Sequence, residues 1–255
     1  LPQQHYQWRW WPKQQGVRVL EVPRARLMVL QRRLHADLLA RVPPHEAACG
    51  FTPGRGVLDH ARLHVGQATL MRFDLRDFFG SVRASRVHAL FATLGYSPAV
   101  SRTLTALTTS RVPEPYLMRW RDDGLIDHEH AARLRIAHLP QGAPTSPAIT
   151  HIMCPRLDCR LQNMADDMGF VYTRYADDLT FSTSGENKKN ICNVLHKTAA
   201  IVAHEGLEIH PAKARVLRQS RQQEVTGIVV NQKLSIDRKA IKRFRAVLFQ
   251  IEKDG

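Results

Sequence analysis

The chain has 255 residues, with 37 Lys and Arg against 23 Asp and Glu and a formal charge of +14. That length carries a real core in one large or two-lobed domain, and a basic excess spread along the chain points to a polyanionic partner, nucleic acid first. No apolar run approaches the roughly 18 residues of a membrane span, and four cysteines (Cys49, Cys154, Cys159, Cys192) without a Cys-x-x-Cys pair speak against a disulfide-stapled fold and a zinc site, leaving reduced thiols in a cytosol as the expectation.

In chain order, residues 5–22 alternate aromatic, basic and apolar side chains around Lys13-Gln14-Gln15-Gly16, which predicts a short hairpin carrying exposed positive charge. Leu27, Leu30, Leu34 and Leu38 stand at helical spacing within residues 24–42, and Pro43-Pro44 stops that basic helix. Residues 50–66, rich in Gly, Arg and His, read as a loop, followed by a strand over 68–75 with Asp74 near its end. Two helices are predicted over 85–94, capped by Ser85, and 97–108, opened by Ser97-Pro98. Residues 111–138 are polar and read as an irregular surface insertion. Ser146-Pro147 opens a long helix through Ile149, Ile152, Met153, Leu157 and Leu161, kinked at Pro155 and stopped at Gly169. The period then changes to strand: 170–175, a tight Ala176-Asp177 turn, and 179–183. A further amphipathic helix is expected over 188–204, closed by Gly206, then short strands at 214–217 and 225–230, an Asn231-Gln232 turn, and a basic helix over 238–252 capped by Asp237. The architecture is mixed α+β. The chain begins on Leu1 rather than Met and ends within a charged helical pattern, so it reads as an excerpt of a longer protein.

Two acidic sites interrupt strands. Asp74 lies inside Leu70-Met71-Arg72-Phe73-Asp74-Leu75, and Asp177-Asp178 separate Tyr172-Thr173-Arg174-Tyr175 from Leu179-Thr180-Phe181. Burying an unpaired carboxylate is costly, so strand-borne carboxylates among apolar neighbours are usually paired or metal-bound. A two-metal site accounts for all three: ions roughly 3.5 to 4 Å apart activate the attacking oxygen and stabilise the leaving pyrophosphate, and hard magnesium takes carboxylate oxygens. On this assignment Asp74 and Asp177 bridge the ions and Asp178 supplies a weaker or outer contact. Asp122-Asp123, in the polar segment, and Asp166-Asp167, at a helix end, lack apolar strand flanks and read as solvated pairs.

Tyr175-Ala176-Asp177-Asp178 followed by Leu179-Thr180-Phe181-Ser182 resembles the Tyr-x-Asp-Asp box of reverse transcriptases. Leu139-Pro140-Gln141-Gly142-Ala143-Pro144-Thr145-Ser146-Pro147 is similar to the segment preceding it in those enzymes, and Phe73-Asp74-Leu75-Arg76-Asp77-Phe78-Phe79 to the family's first aspartate box. Val225-Thr226-Gly227-Ile228-Val229-Val230-Asn231 resembles a segment of bacterial retron-type enzymes. The boxes follow the family's order from about Lys13 to Asn231. His60-Ala61-Arg62-Leu63-His64 departs from the Asn-Ala-x-x-His pattern of many retron enzymes, since His60 replaces Asn.

The resemblance implies a right-hand polymerase fold: fingers over 1–66, a first palm part with connecting helices over 67–110, the insertion 111–138, a second palm part over 139–236, and the start of a mostly absent thumb over 237–255. It implies RNA-directed DNA synthesis with two Mg2+ ions, for which Mn2+ is a substitute, on an RNA template and primer with deoxynucleoside triphosphates. A retron-type enzyme of the bacterial cytoplasm would copy its own structured noncoding RNA in phage defence, with an accessory effector protein as a further partner. A group II intron-like or other defence-associated reverse transcriptase and a non-polymerising, maturase-like RNA-binding protein stand as alternatives. By the same resemblance Phe79 sits beneath the sugar of the incoming nucleotide and rejects a 2′-hydroxyl, with Phe78 a core residue. If the strand runs on, the two face opposite ways. Gln141 touches that nucleotide beside the flexible Gly142, and Lys13 and Arg18 grip its triphosphate. Arg55 is a weaker candidate for template or nucleotide. Lys213 is the proton donor to pyrophosphate or a plain phosphate clamp. His128, Glu129, His130 and His138 lack a recognised ligand spacing and read as solvated.

Overall fold

The structure, a computed structural model, describes residues 5–13, 16–185 and 188–254. Strands β1 (Tyr6–Pro12) and β2 (Val17–Pro23) pair antiparallel, Tyr6 opposite Pro23 and Trp11 opposite Arg18. In the expected turn between them Gln14 and Gln15 lie outside the described residues. Helix α1 (Ala25–Asp37) ends in a 3-10 turn (Leu39–Arg41) before Pro43. Helix α2 (Val57–Arg62) falls inside the segment read as a loop. Its start is fastened by the Asp59 carboxylate, which accepts from the Gly56 N–H at 2.8 Å, a closure that a Gly- and His-rich composition conceals.

Strand β3 (Thr69–Asp74) leads to a one-turn helix α3 (Phe78–Ser81), then α4 (Ala84–Thr93) and α5 (Pro98–Thr108). Two expectations change here. Phe78 and Phe79 sit on a helix, not a strand, because Asp77 takes a left-handed φ of 49° and turns the chain. Ser85 does not cap α4, whose cap position is Arg83 with no side-chain capping bond. Ser97 does cap α5, its hydroxyl accepting from the Val100 N–H at 3.4 Å.

Residues 111–138 overturn the irregular surface reading. Helices α6 (Glu114–Asp122) and α7 (His128–Arg135) bury Leu117, Trp120, Ala131 and Leu134, with Val112, Ile126 and Val19 of β2, in one cluster. The charges face outward and pair: Arg135 grips Glu114 at 2.6 and 2.8 Å, and Arg133 donates to Glu129 at 2.6 Å. The apolar residues recur at i, i+3, enough for one buried stripe although most of each helix is polar.

Helices α8 (Ser146–Met153) and α9 (Pro155–Met168) replace the single kinked helix, since a proline at 155 has no N–H to continue the ladder and crowds the preceding turn. Then come β4 (Val171–Tyr175), β5 (Asp178–Thr183), α10 (Lys188–His204), a 3-10 turn (Pro211–Lys213), β6 (Arg215–Arg218), β7 (Glu224–Val225), β8 (Ile228–Val229), β9 (Ser235–Ile236) and α11 (Arg238–Asp254). No helix among the described residues is long and apolar enough to cross a membrane.

The chain divides into two compact units, residues 1–44 with 77–155, and 45–76 with 156–255. In the first, a second cluster joins Leu39, Val82, Val87, Phe91, Leu139, Ala148 and Ile149. The second holds an antiparallel sheet in the order β4-β5-β3-β6 and a smaller one in the order β7-β8-β9. With a side-chain period of two, β3 sends Leu70, Arg72 and Asp74 to one face and Met71 and Phe73 to the other. Leu70 packs with Ala61, Val225 and Val230, while Phe73 meets Phe181 edge-on at 5.8 Å.

Candidate active site

Asp74 is the last residue of β3, and its Cα partner is Asp178, the first residue of β5. Asp177 stands beside them in the hairpin turn, its carbonyl accepting from the Leu75 N–H at 2.9 Å. The 3-10 turn brings Lys213 to the same place, Nζ donating to Asp74 Oδ1 at 2.5 Å, and Arg72 on the same face reaches Asp178 at 3.6 Å. Burial, then the negative charges of Asp178 and Asp74, push the Asp177 carboxyl up to about 6, opposed by a backbone hydrogen bond and by Lys213. Asp178 is also raised, by burial and by Asp74, against the lowering pull of Arg72 and Lys213.

Gathered like charges of this kind are relieved by a cation, and three hard-oxygen donors suit a divalent one. Among the described residues no three His, Cys, Asp or Glu side chains are grouped closely enough to hold a metal ion as they stand. Two of the carboxylates instead face the ammonium of Lys213 and the guanidinium of Arg72. The donor chemistry fits magnesium.

The turn that carries Asp177 is strained and heavily braced. Ala176 has a φ of 56°, a left-handed conformation that costs a residue with a Cβ roughly 1–2 kcal/mol. Such a residue persists only where its surroundings over-determine it. Gly50 lies so close that a Cβ there would stand 2.7 Å from the Ala176 nitrogen. Arg174 Nη1 donates to the Ala176 carbonyl at 3.2 Å. Arg174 is itself buried and grips Asp158 of α9 through two bonds of 2.7 and 2.8 Å, with the Tyr172 hydroxyl donating to the same carboxylate at 2.9 Å. Asp158 and Arg174 are structural supports that the linear sequence did not single out. The available signal was an acidic residue on the apolar face of α9, beside Leu157 and Leu161.

The departure at His60 is accommodated in the same region. Its ring stacks on Tyr175 at 5.6 Å and 25°, and its Nδ1 lies 3.4 Å from the Thr226 hydroxyl. His64 bridges Ser182 at 2.7 Å and Thr173 at 2.6 Å, tying β5 to β4. Burial, with the charge of Arg72, pushes His60 down to about 4, and burial, with His60, pushes His64 down to about 3.

Asp74, Asp177, Asp178 and Lys213 therefore come together in one unit, whereas Lys13, Arg18, Phe79, Gln141 and Gly142 belong to the other. Lys13 and Arg18 are exposed on the β1–β2 hairpin. Phe79 is half-buried and Phe78 buried, their rings 5.6 Å apart. The Gln141 carbonyl accepts from the Glu21 N–H at 2.9 Å, and Gly142 has a φ of 127° with room for a Cβ only 3.1 Å from the Glu21 carbonyl oxygen. Arg55 donates to the Glu46 carbonyl. Of the four residues read as solvated, His128 and Glu129 are exposed and His130 half-buried, but His138 is almost fully buried against Glu21, a correction that its place beside the core residue Leu139 explains.

The reverse transcriptase (RNA-dependent DNA polymerase) family profile matches residues 11–230. The chain is 41% identical over 236 residues to the retron Mx65 reverse transcriptase of Myxococcus xanthus, covering 92% of this chain and 53% of that protein. It is 40% identical over 229 residues to the retron Mx162 enzyme of the same organism, covering 86% and 46%. With the retron Ec86 reverse transcriptase of Escherichia coli it shares 30% over 236 residues, covering 92% and 65%. It thus spans about half the length of the two Myxococcus relatives. Apo telomerase of Candida tropicalis shares the fold, with a TM-score of 0.55 at 11% identity over 91% of this chain and 47% of that one. With four sequence boxes in the family's order and a family profile covering residues 11–230, the chain belongs to the reverse transcriptases and is of the bacterial retron type.

Proposed function

We propose that this chain is the catalytic portion of an RNA-directed DNA polymerase that adds deoxynucleotides to a primer on an RNA template, with two magnesium ions held by Asp74, Asp177 and Asp178. The observation that carries the reading is the pairing of Asp74 with Asp178 in register across β3 and β5, with Asp177 in the adjoining turn. Bound there, the ions would activate the primer hydroxyl and neutralise charge developing on the pyrophosphate, with Mn2+ as a substitute.

The remaining roles fall to the chain's own groups. Lys213, already on Asp74, is placed in this reading to supply a proton or a positive charge to the leaving pyrophosphate. Lys13 and Arg18 hold the triphosphate, Gln141 and Gly142 line the nucleotide, and the Phe79 ring excludes a 2′-hydroxyl. Fingers precede Asp74, the palm carries the aspartates and a thumb starts near Asp237. The template is a structured noncoding RNA of a retron in the bacterial cytoplasm. Phage defence with an accessory effector protein is the biological setting that belongs to this reading.

Purified protein given primed RNA, magnesium and deoxynucleotides should extend the primer. Asp177→Asn should abolish extension while leaving RNA affinity nearly unchanged, and extension that survives this change sinks the metal assignment.

A further inference from the structure

We propose that the buried pair Glu21–His138 is a positioning device that fixes the Gln141-Gly142 turn against the hairpin carrying Lys13 and Arg18, and so sets affinity for the incoming nucleotide. The inference rests on the polymerase reading.

Hydrogen-bond chemistry fixes the hydrogen on one ring nitrogen. His138 Nδ1 lies 2.7 Å from the Ile136 carbonyl, which can only accept, so Nδ1 carries a hydrogen. Nε2 lies 2.7 Å from Glu21 Oε1, and an ionised carboxylate also only accepts. With Glu21 ionised the ring is an imidazolium, and a buried charge of each sign is held in one contact. Burial alone pushes His138 down, but the hydrogen bond and charge of Glu21, the Ile136 carbonyl and the charge of Asp77 together hold it above its ordinary value.

The location gives this pair its purpose. The His138 main chain is pinned by two bonds of 2.9 Å with Ser110, and Leu139 donates to the Val82 carbonyl at 3.0 Å. Three residues further on, Gln141 and Gly142 meet the backbone of Glu21. One residue of β2 thus grips the segment at two points, by its carboxylate at residue 138 and by its main chain at 141 and 142. A pair kept for stability alone is a poor explanation, since well-packed apolar residues would serve as well or better. Glu21 Oε2, moreover, is buried without a partner among the described residues, an uncompensated cost. Orientation is what a directional ionic contact adds.

The test is an equilibrium titration of deoxyadenosine triphosphate with magnesium into the intact protein, read by quenching of tryptophan fluorescence. For Glu21→Ala the Kd should rise about tenfold, inside the roughly hundredfold that a misplacement of about 1 Å can cost an enzyme. Glu21→Gln, whose amide can donate to a neutral His138 and keep the shape, should stay within about threefold, and affinity for primed RNA should not change in either. Glu21→Asp keeps the charge but is one methylene too short for the 2.7 Å contact, so it should weaken nucleotide binding severalfold, and it decides the matter if Glu21→Ala does not fold. An unchanged Kd in Glu21→Asp, or equal losses in Glu21→Ala and Glu21→Gln, overturns the inference alone. A wild type that binds no deoxynucleotide overturns both it and the polymerase reading.

Discussion

Asp158→Ala offers a strong test of how the Tyr175–Asp178 turn is held. The change removes two charge-assisted bonds to Arg174, at 2.7 and 2.8 Å, and one from Tyr172 at 2.9 Å, all of them buried. It takes the Asp158 carboxylate away from a guanidinium buried inside the protein. Breaking a buried pair from one side costs about 3–5 kcal/mol. At roughly 2–4 °C per kcal/mol for a chain of this size, Tm should fall by about 6–20 °C. The double change Asp158→Leu with Arg174→Met removes both charges and should be less harmful than the single one. Thermal melts followed by circular dichroism, with urea unfolding as a second measure, report both. The reasoning fails if Asp158→Ala moves Tm by less than about 2 °C or if the double variant is the less stable of the two. Because Arg174 also holds the Ala176 carbonyl, primer extension by the single variant should drop at temperatures well below its melt.

Three further outcomes are expected. Gly50→Ala should reduce primer extension far more than it reduces RNA binding, since its Cβ must displace the Ala176 backbone from 2.7 Å, and full activity in that variant would refute the bracing role of Gly50. His60 and His64 titrate below their ordinary 6.5 when folded, so the native state binds fewer protons than the unfolded chain. Their stabilisation is intact above pH 6.5 and is lost as pH falls, by about 1.4 kcal/mol per pH unit for each histidine until its folded value is reached. A urea midpoint that stays flat from pH 6.5 to 5 would contradict this, and His64→Gln should shallow the slope. Phe79→Val should raise ribonucleotide incorporation in primer extension, and an unchanged sugar preference would remove the ring from its proposed place.

Local pattern carried much of the fold. The two hairpins were legible because β-branched and aromatic residues alternate around short turns, and the Ser97-Pro98 start of α5 because capping chemistry is local. The region 111–138 was misread since Leu117, Trp120, Ala131 and Leu134 are diluted by arginines and acids whose pairing only the folded helices create. The short helix at Phe78 and Phe79 was not legible because nothing in an Asp-Phe-Phe sequence announces a left-handed Asp77. At the site, the carboxylates stood out by their apolar flanks. Their supports did not: Asp158 and Arg174 lie 16 residues apart, and Glu21 and His138 lie 117 apart, so each member looked like an ordinary charged residue until the chain was folded.

Strand β3 is flanked on both sides, by β5 from Thr69 to Asp74 and by β6 from Thr69 to Arg72. An inserted residue there would rotate everything beyond it by half a turn, swapping Arg72 and Asp74 with the apolar side and breaking two ladders at once. Substitution is thus open to this stretch in a way that changes of length are not. Additional chain has to enter at the connections instead, so that lineages descending from this sequence can lengthen their loops while the spacing from Leu70 to Asp74 stays constant.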